Sequence, residues 1–159
     1  MSMTTNQPSV VDEDAFTVRR TIDIAASPEK VWQAVTDPAH ISRWFGTTVL
    51  DGIGAGATGS MSFPGYATIP LRVEAIDEPN SISYRWNNDD ALGTAPDRLD
   101  EASSTVFTFT LEPAGDGTRL TVVESGFENT SQPTVNLAEH AKGWVSELDK
   151  LVSLLESAA

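Results

Sequence analysis

The segment from Ser131 to Ala159 reads SQPTVNLAEHAKGWVSELDKLVSLLESAA, and its apolar residues recur every three or four positions. That spacing places them on one face of an α-helix, opposite charged residues such as Glu139 and Lys150. Pro133 suits the first turn of a helix, where its missing N–H is not needed. We therefore predict a helix from about Pro133 to about Ser157, whose apolar stripe consists of Ala138, Ala141, Trp144, Val145, Leu148, Leu151, Val152 and Leu155.

A long helix with one broad apolar face needs a large apolar partner, and the residues upstream supply it. Apolar and polar side chains alternate over 16–25, 81–87 and 105–111, as in strands of a half-buried sheet. Ser27-Pro28 and Asp37-Pro38 predict the starts of two short helices after the first strand. Strands segregated from helices indicate an α+β fold, in which a curved antiparallel sheet surrounds the C-terminal helix.

The composition indicates one globular domain. The chain has 159 residues, of which 40% are hydrophobic, and these suffice for a sizeable core. Residues 1–14 are polar and acidic and lack the basic and apolar regions of a signal peptide, so we expect a disordered tail before a single domain over 15–159. No apolar run approaches the roughly 20 residues that span a bilayer. The absence of cysteine excludes disulfides and fits the cytoplasm.

The charge and the motifs exclude several functions. The net charge of −13 would repel nucleic acids and anionic membranes. The two histidines, His40 and His140, show no metal-ligand spacing, so we expect neither a metal nor a cofactor. Residues 54–59 match G-x-G-x-x-G, but the residues that follow indicate a strand rather than the helix that a nucleotide site requires.

Three stretches resemble a known superfamily. They are VRRTIDIAASPEKVWQAVTDPAHISRWFG over 18–46, LEPAGDGTRLTVVESGF over 111–127, and HAKGW over 140–144. Together they resemble the START-like (SRPBCC, helix-grip) superfamily and, within it, the family of the C-terminal domain of the activator of Hsp90 ATPase. The resemblance implies a seven-stranded antiparallel sheet that grips the last helix, with a cavity between them. Because the superfamily includes lipid carriers, polyketide cyclases, hormone receptors and co-chaperones, it does not define the ligand.

Three residues are candidates for proton transfer. Glu124 continues the apolar face of its strand, so it lies either at the wet end of the sheet or in the cavity wall, where burial would raise its pKa. His140 precedes Trp144 by one helical turn and is either a hydrogen-bonded structural residue or a proton donor. Tyr84 carries a hydroxyl that needs a partner if it is buried.

Aromatic side chains dominate the expected ligand site. Arg72 and Arg85 either face solvent and pair with acids, or bind a ligand carboxylate or phenolate. The residues that we expect at the ligand are Trp44, Phe45, Phe63, Arg72, Tyr84, Trp86, Phe107, Phe109, Glu124, His140, Trp144 and Leu148.

These features favour a protein that encloses a small apolar or aromatic molecule between the sheet and the last helix. The alternative is a polyketide cyclase or aromatase, with Glu124, Tyr84 or His140 moving protons and the cavity folding the substrate. A chaperone-associated role is a third hypothesis, and we do not expect it, because the resemblance ties that activity to an additional N-terminal domain. A homodimer is compatible with all three hypotheses.

Overall fold

The structure is a computed structural model that describes residues 6–157. Its α-helices are α1 (Pro28–Thr36), α2 (Pro38–Ile41) and α3 (Pro133–Ser157). Its strands are β1 (Val10–Asp12), β2 (Thr17–Ile24), β3 (Thr47–Asp51), β4 (Thr58–Ser62), β5 (Thr68–Asp77), β6 (Ser81–Trp86), β7 (Thr105–Ala114) and β8 (Gly117–Ser125). The predicted C-terminal helix is confirmed at both ends.

All eight strands form one open, curved antiparallel sheet in the order β1-β2-β8-β7-β6-β5-β4-β3. The ladder between β2 and β8 joins the two ends of the domain, since Ile22 lies opposite Leu120. The α+β class is confirmed, and the expected count of seven strands is wrong by one.

The additional strand comes from the expected tail. In β1, Val10 lies opposite Arg19, and Asp12 lies opposite Thr17. The prediction of a disordered tail over 1–14 is therefore wrong for these residues, because a free sheet edge offers backbone groups that even a polar segment can pair with. Residues 1–5 lie outside the described residues.

The short helices begin where the sequence predicts. The hydroxyl of Ser27 accepts a hydrogen bond from the backbone N–H of Lys30 at 3.3 Å, which caps α1. The carboxylate of Asp37 accepts one from Ala39 N–H at 3.0 Å and caps α2. Trp44, just after α2, donates its indole N–H to Ala34 O at 2.8 Å, so the two helices are fixed to each other.

The core lies between the sheet and α3. Alternate side chains of β2, β6, β7 and β8 point inward and meet Leu137, Trp144, Leu148 and Leu151 of the helix, all of which are buried. Each fully buried large apolar side chain contributes about 1.5–3 kcal/mol. The helix stripe differs slightly from the prediction, because Ala138 is exposed and Leu137 is buried in its place.

Arg20, which interrupts the apolar face of β2, is buried and fixes α3 to the sheet. Its Nη1 donates to the carbonyl oxygens of Trp144 and Val145 at 3.3 and 3.2 Å, and its Nη2 lies 2.8 Å from Oδ1 of Asp149. Its Nε donates to Gln7 O at 3.0 Å. Acceptors from α3 and from the N-terminal segment therefore surround the guanidinium, and these hydrogen bonds offset the free-energy cost of burying its charge.

Candidate functional site

A pocket of about 410 Å³ opens between one end of the sheet and the middle of α3. Phe63 directly follows β4, Trp86 ends β6, and Phe45 follows α2, so three segments supply the wall opposite the helix. Gly143 lies in the helical wall. The aromatic lining residues are Phe45, Phe63, Tyr66, Trp86 and Trp144.

The aromatic wall is tightly packed around Phe45. Its ring centroid lies 5.7 Å from those of Phe63 and Trp86, 5.5 Å from that of Trp144, and 5.0 Å from that of Trp44, on which it stacks. Edge-to-face and offset contacts at these distances stabilise the fold in addition to the free energy gained by burying apolar area. The wall is therefore formed by side chains with little freedom to rearrange.

Glu124 lies directly behind this wall and is completely buried. Its Oε1 accepts hydrogen bonds from His140 Nδ1 at 2.8 Å and Trp144 Nε1 at 2.9 Å. Its Oε2 accepts from Trp86 Nε1 at 2.9 Å and Thr105 Oγ1 at 2.6 Å. Burial opposes the charge, but the charge of His140 and the hydrogen bonds from His140, Thr105 and Trp86 outweigh it and hold the pKa of Glu124 below its usual value.

His140 joins Glu124 to the pocket rim. Its Nδ1 faces Glu124, while its Nε2 lies 2.8 Å from Asn88 O and 3.1 Å from Oδ2 of Asp90. Burial alone would lower the pKa of His140, but Glu124 and Asp90 outweigh it and raise that pKa to about 10. His140 is therefore an imidazolium at neutral pH, and both of its N–H groups are already donated.

Asp89 fastens the loop that carries Asn88 and Asp90 to the start of α3. Its carboxylate accepts from Ser131 N and Ser131 Oγ, each at 2.8 Å, from Asn136 Nδ2 at 2.8 Å and from Leu92 N at 3.0 Å. Burial would raise the pKa of Asp89, but these hydrogen bonds lower it. Together with Asn136 Oδ1, which accepts from Ala91 N–H at 2.9 Å, Asp89 therefore holds the long polar loop after β6 against the start of α3.

We expect Asp89→Ala to lower the free energy of unfolding by about 1–3 kcal/mol, because it leaves several donors without their acceptor. Urea unfolding followed by circular dichroism measures this. Asp97→Ala, in the same loop and exposed, is the matched control and should change stability by less than about 0.5 kcal/mol. Equal stabilities of the two variants would contradict the proposed role of Asp89 as a fastening residue.

The residues predicted at the ligand separate into three groups. Phe45, Phe63, Trp86, His140 and Trp144 line the pocket. Glu124 supports that wall from behind, and Trp44, Phe107, Phe109 and Leu148 are buried beneath it in the core. Much of the space expected to be a cavity is therefore filled by aromatic side chains, and the pocket occupies only its rim.

Tyr84 and Arg72 lie away from the pocket lining. The Tyr84 hydroxyl donates to Val35 O at 2.6 Å, and burial raises its pKa. Arg72 pairs with Glu74 at 2.5 Å and also with Glu101. Arg85 likewise contacts Glu74, at 2.8 Å. The arginines therefore follow the first of the two alternatives, pairing with acids, and neither is among the lining residues.

Sequence reasoning missed most of the polar lining. Tyr66, Asn88 and Asp90 lie on loops, whose conformation no periodicity predicts. The helical lining residues were accessible to prediction, since Glu139, Lys142 or Gly143, and Ser146 or Glu147 follow one another at spacings of three or four on one face of the predicted helix. The polar lining residues are Asn88, Asp90, Glu139, His140, Lys142, Ser146 and Glu147.

Gly54, Gly56 and Gly59 serve the connection between β3 and β4. The first two have positive φ angles of 80° and 93°, and the third lies within β4 rather than at the start of a helix. A Cβ at Gly59 would lie 1.8 Å from Val49 O, so strand pairing requires glycine there. The sequence reading of this motif as turn residues agrees with these positions.

A curved antiparallel sheet around a long C-terminal helix, with a pocket between them, defines the helix-grip class of proteins. The family model for Activator of Hsp90 ATPase homolog 1-like protein matches residues 25–156, and the chain belongs to this family.

Solved structures agree with this assignment. Protein MLL2253 from Mesorhizobium loti is 28% identical, with a TM-score of 0.72, over 90% of this chain and 98% of that one. The Aha1 dimer from Colwellia psychrerythraea is 25% identical, with a TM-score of 0.68, over 88% and 96%. DynU16, from the dynemicin biosynthetic locus, is 26% identical, with a TM-score of 0.70, over 89% of this chain and 48% of that one.

No curated protein gives a significant match to this sequence. Within residues 6–157, no helix is both long enough and apolar enough to cross a membrane.

Proposed function

We propose that the protein binds a small aromatic or apolar molecule in the pocket between the sheet and α3. The observation that carries this proposal is a pocket of about 410 Å³ with five aromatic side chains in its lining. Ligand sites in proteins are typically concave, mostly apolar and of this size, with a few polar groups that orient the ligand. A pre-packed aromatic wall also lowers the entropy that binding costs.

The arrangement of the polar groups favours binding over acid–base catalysis. A general base needs a free lone pair near the substrate, and an acid must be able to release its proton. Both oxygens of Glu124 are occupied by donors, and both nitrogens of His140 face acceptors. The cyclase alternative therefore draws its support from the fold class, which does not define a reaction.

Binding is tested with a panel of flavonoids, polyketides and lipids. Because Trp86 and Trp144 line the pocket, a ligand should change the tryptophan fluorescence and raise the melting temperature together. A panel in which no member changes either signal would count against the proposal.

Gly143 offers a sharper test. It lies within α3 in the pocket lining, and a Cβ built there would meet no atom within 4 Å. We expect Gly143→Phe to weaken ligand binding at least about tenfold, because the ring occupies the pocket. Phenylalanine also has a higher helix propensity than glycine, so we expect the melting temperature not to fall.

Gly143→Ala is the matched control, since it improves the helix in the same way and adds only one methyl group. It should retain most of the affinity. If Gly143→Phe bound ligand as tightly as the unchanged protein, the ligand would lie elsewhere and the pocket proposal would fail.

Self-association is a separate proposal, supported by the dimeric relative from Colwellia psychrerythraea. Light scattering during size-exclusion chromatography distinguishes a monomer of 17.0 kDa from a dimer.

A further inference from the structure

The nitrogen donors of the aromatic wall are already used inside the protein. The indole N–H groups of Trp86 and Trp144 both donate to Glu124. The N–H groups of His140 face Glu124 on one side and Asn88 O with Asp90 on the other. A ligand in the pocket therefore meets the rings of these residues while their donors point away from it.

The remaining charged groups of the pocket are mostly acceptors. Asp90, Glu139 and Glu147 contribute carboxylates to the lining, and Lys142 contributes the one ammonium group among the described lining residues. The Lys142 side chain is 76% exposed and lies 3.6 Å from Glu139. Ser146 and the side-chain amide of Asn88 can donate as well as accept.

Glu147 is the carboxylate best shielded from solvent among the three, with 19% of its side chain exposed. Its Oε2 lies 2.5 Å from Nζ of Lys150, whose side chain is 54% exposed. Ion pairs with such exposed lysines contribute little free energy. A ligand cation that is desolvated in the pocket can therefore compete for this carboxylate.

We propose that the ligand of this pocket carries a positive charge: an amine or quaternary ammonium group attached to an aromatic or apolar body. The inference rests on the proposed binding function and specifies its ligand class. Cations bind over the faces of tryptophan, tyrosine and phenylalanine, which this pocket supplies. Carboxylates add charge-assisted hydrogen bonds, and the chain's net charge of −13 attracts a cation at long range.

The test compares three naphthalene probes substituted at the same ring position: naphthylmethylamine, which is protonated at neutral pH, naphthylmethanol and naphthoate. Isothermal titration calorimetry at low ionic strength should show the cation binding about tenfold more tightly than the neutral probe. The anion should bind most weakly. Added salt should reduce the advantage of the cation, because it screens exposed charges.

Two variants test whether Glu147 is responsible for the preference for the cationic probe. Glu147→Gln should reduce the affinity ratio of cation to neutral probe about threefold or more, since it removes the shielded carboxylate. Glu112→Gln removes the same charge from an exposed position on β7, outside the pocket lining, and should leave that ratio unchanged.

The outcomes separate the two proposals. Equal or tighter binding of the neutral or anionic probe overturns the charge assignment and leaves the pocket function standing. A cation preference that persists in Gly143→Phe places the binding outside the pocket and overturns the inference. If none of the three probes binds and the broader panel also fails, both proposals fail.

Discussion

Glu124→Gln is expected to lower the free energy of unfolding by about 3–5 kcal/mol, the usual cost of removing one partner from a buried ion pair. The substitution keeps the shape of the side chain but removes the charge that faces His140. It also replaces one acceptor oxygen with an NH2 group, although all four neighbours of Glu124 are donors. At least one of these polar groups then loses its partner in the core.

Urea unfolding followed by tryptophan fluorescence and far-ultraviolet circular dichroism measures the change. Glu112→Gln is the matched control, since it makes the same substitution on the exposed side of the neighbouring strand β7 and should cost less than about 0.5 kcal/mol. A loss below about 1 kcal/mol in Glu124→Gln would show that the buried network contributes little.

A loss of activity in a Glu124 variant does not by itself identify Glu124 as a catalytic residue. Loss of turnover in Glu124→Gln would follow from destabilisation as well as from loss of a catalytic base. The carboxylate also holds the indole N–H groups of Trp86 and Trp144, which form two parts of the pocket wall. We therefore expect the variant to weaken ligand binding through misplaced rings, even though Glu124 itself is behind the wall.

Stability is expected to fall as the pH rises from about 6.5 towards about 10. The pKa of His140 is raised to about 10 in the folded protein, whereas in an unfolded chain it lies near 6.5. Between these values the folded protein holds a proton that the unfolded chain has released, so each pH unit costs up to about 1.4 kcal/mol. The stabilisation from His140 is complete below the lower value and is lost as the pH passes the upper one.

At acidic pH the stability changes in the opposite direction: it falls as the pH falls. The pKa values of Glu124, Asp89 and Asp90 are lowered in the folded state, so their stabilisation is present above their ordinary pKa values and is lost as the pH falls. Maximum stability should therefore lie between about pH 4.5 and 6.5.

Urea unfolding at several pH values checks this profile. His140→Gln should be less stable than the unchanged protein near pH 6, and the difference should narrow towards pH 10, because the unchanged protein loses its imidazolium there. His40→Gln is the control, since His40 is only partly buried and lies on α2, away from Glu124, with its Nδ1 facing Asp37. Parallel profiles for His140→Gln and the unchanged protein would contradict the assignment of an imidazolium at position 140.

The sequence determined the features that depend on near neighbours along the chain. The spacing of apolar residues set α3, and its bounds at Pro133 and Ser157 were predicted correctly. Alternation set the strands, and Ser27 and Asp37 set the starts of the short helices. Each of these signals acts within a few residues, so a linear pattern contains it.

Only the tertiary structure decided which polar residues act together. Glu124, predicted at the wet end of the sheet or in a cavity wall, finds its partners on β6, β7 and α3, which the chain alone does not place around it. Arg20 interrupts the apolar face of β2, and its guanidinium donates to carbonyl groups of α3 that only the packed structure brings within reach. The pairing of β1 and the loop held by Asp89 likewise depend on contacts between distant segments. Such contacts depend on how the sheet curves and packs. A buried polar group without a hydrogen-bond partner costs free energy, so its partner can come from any segment that the fold brings near it, whatever the distance in sequence.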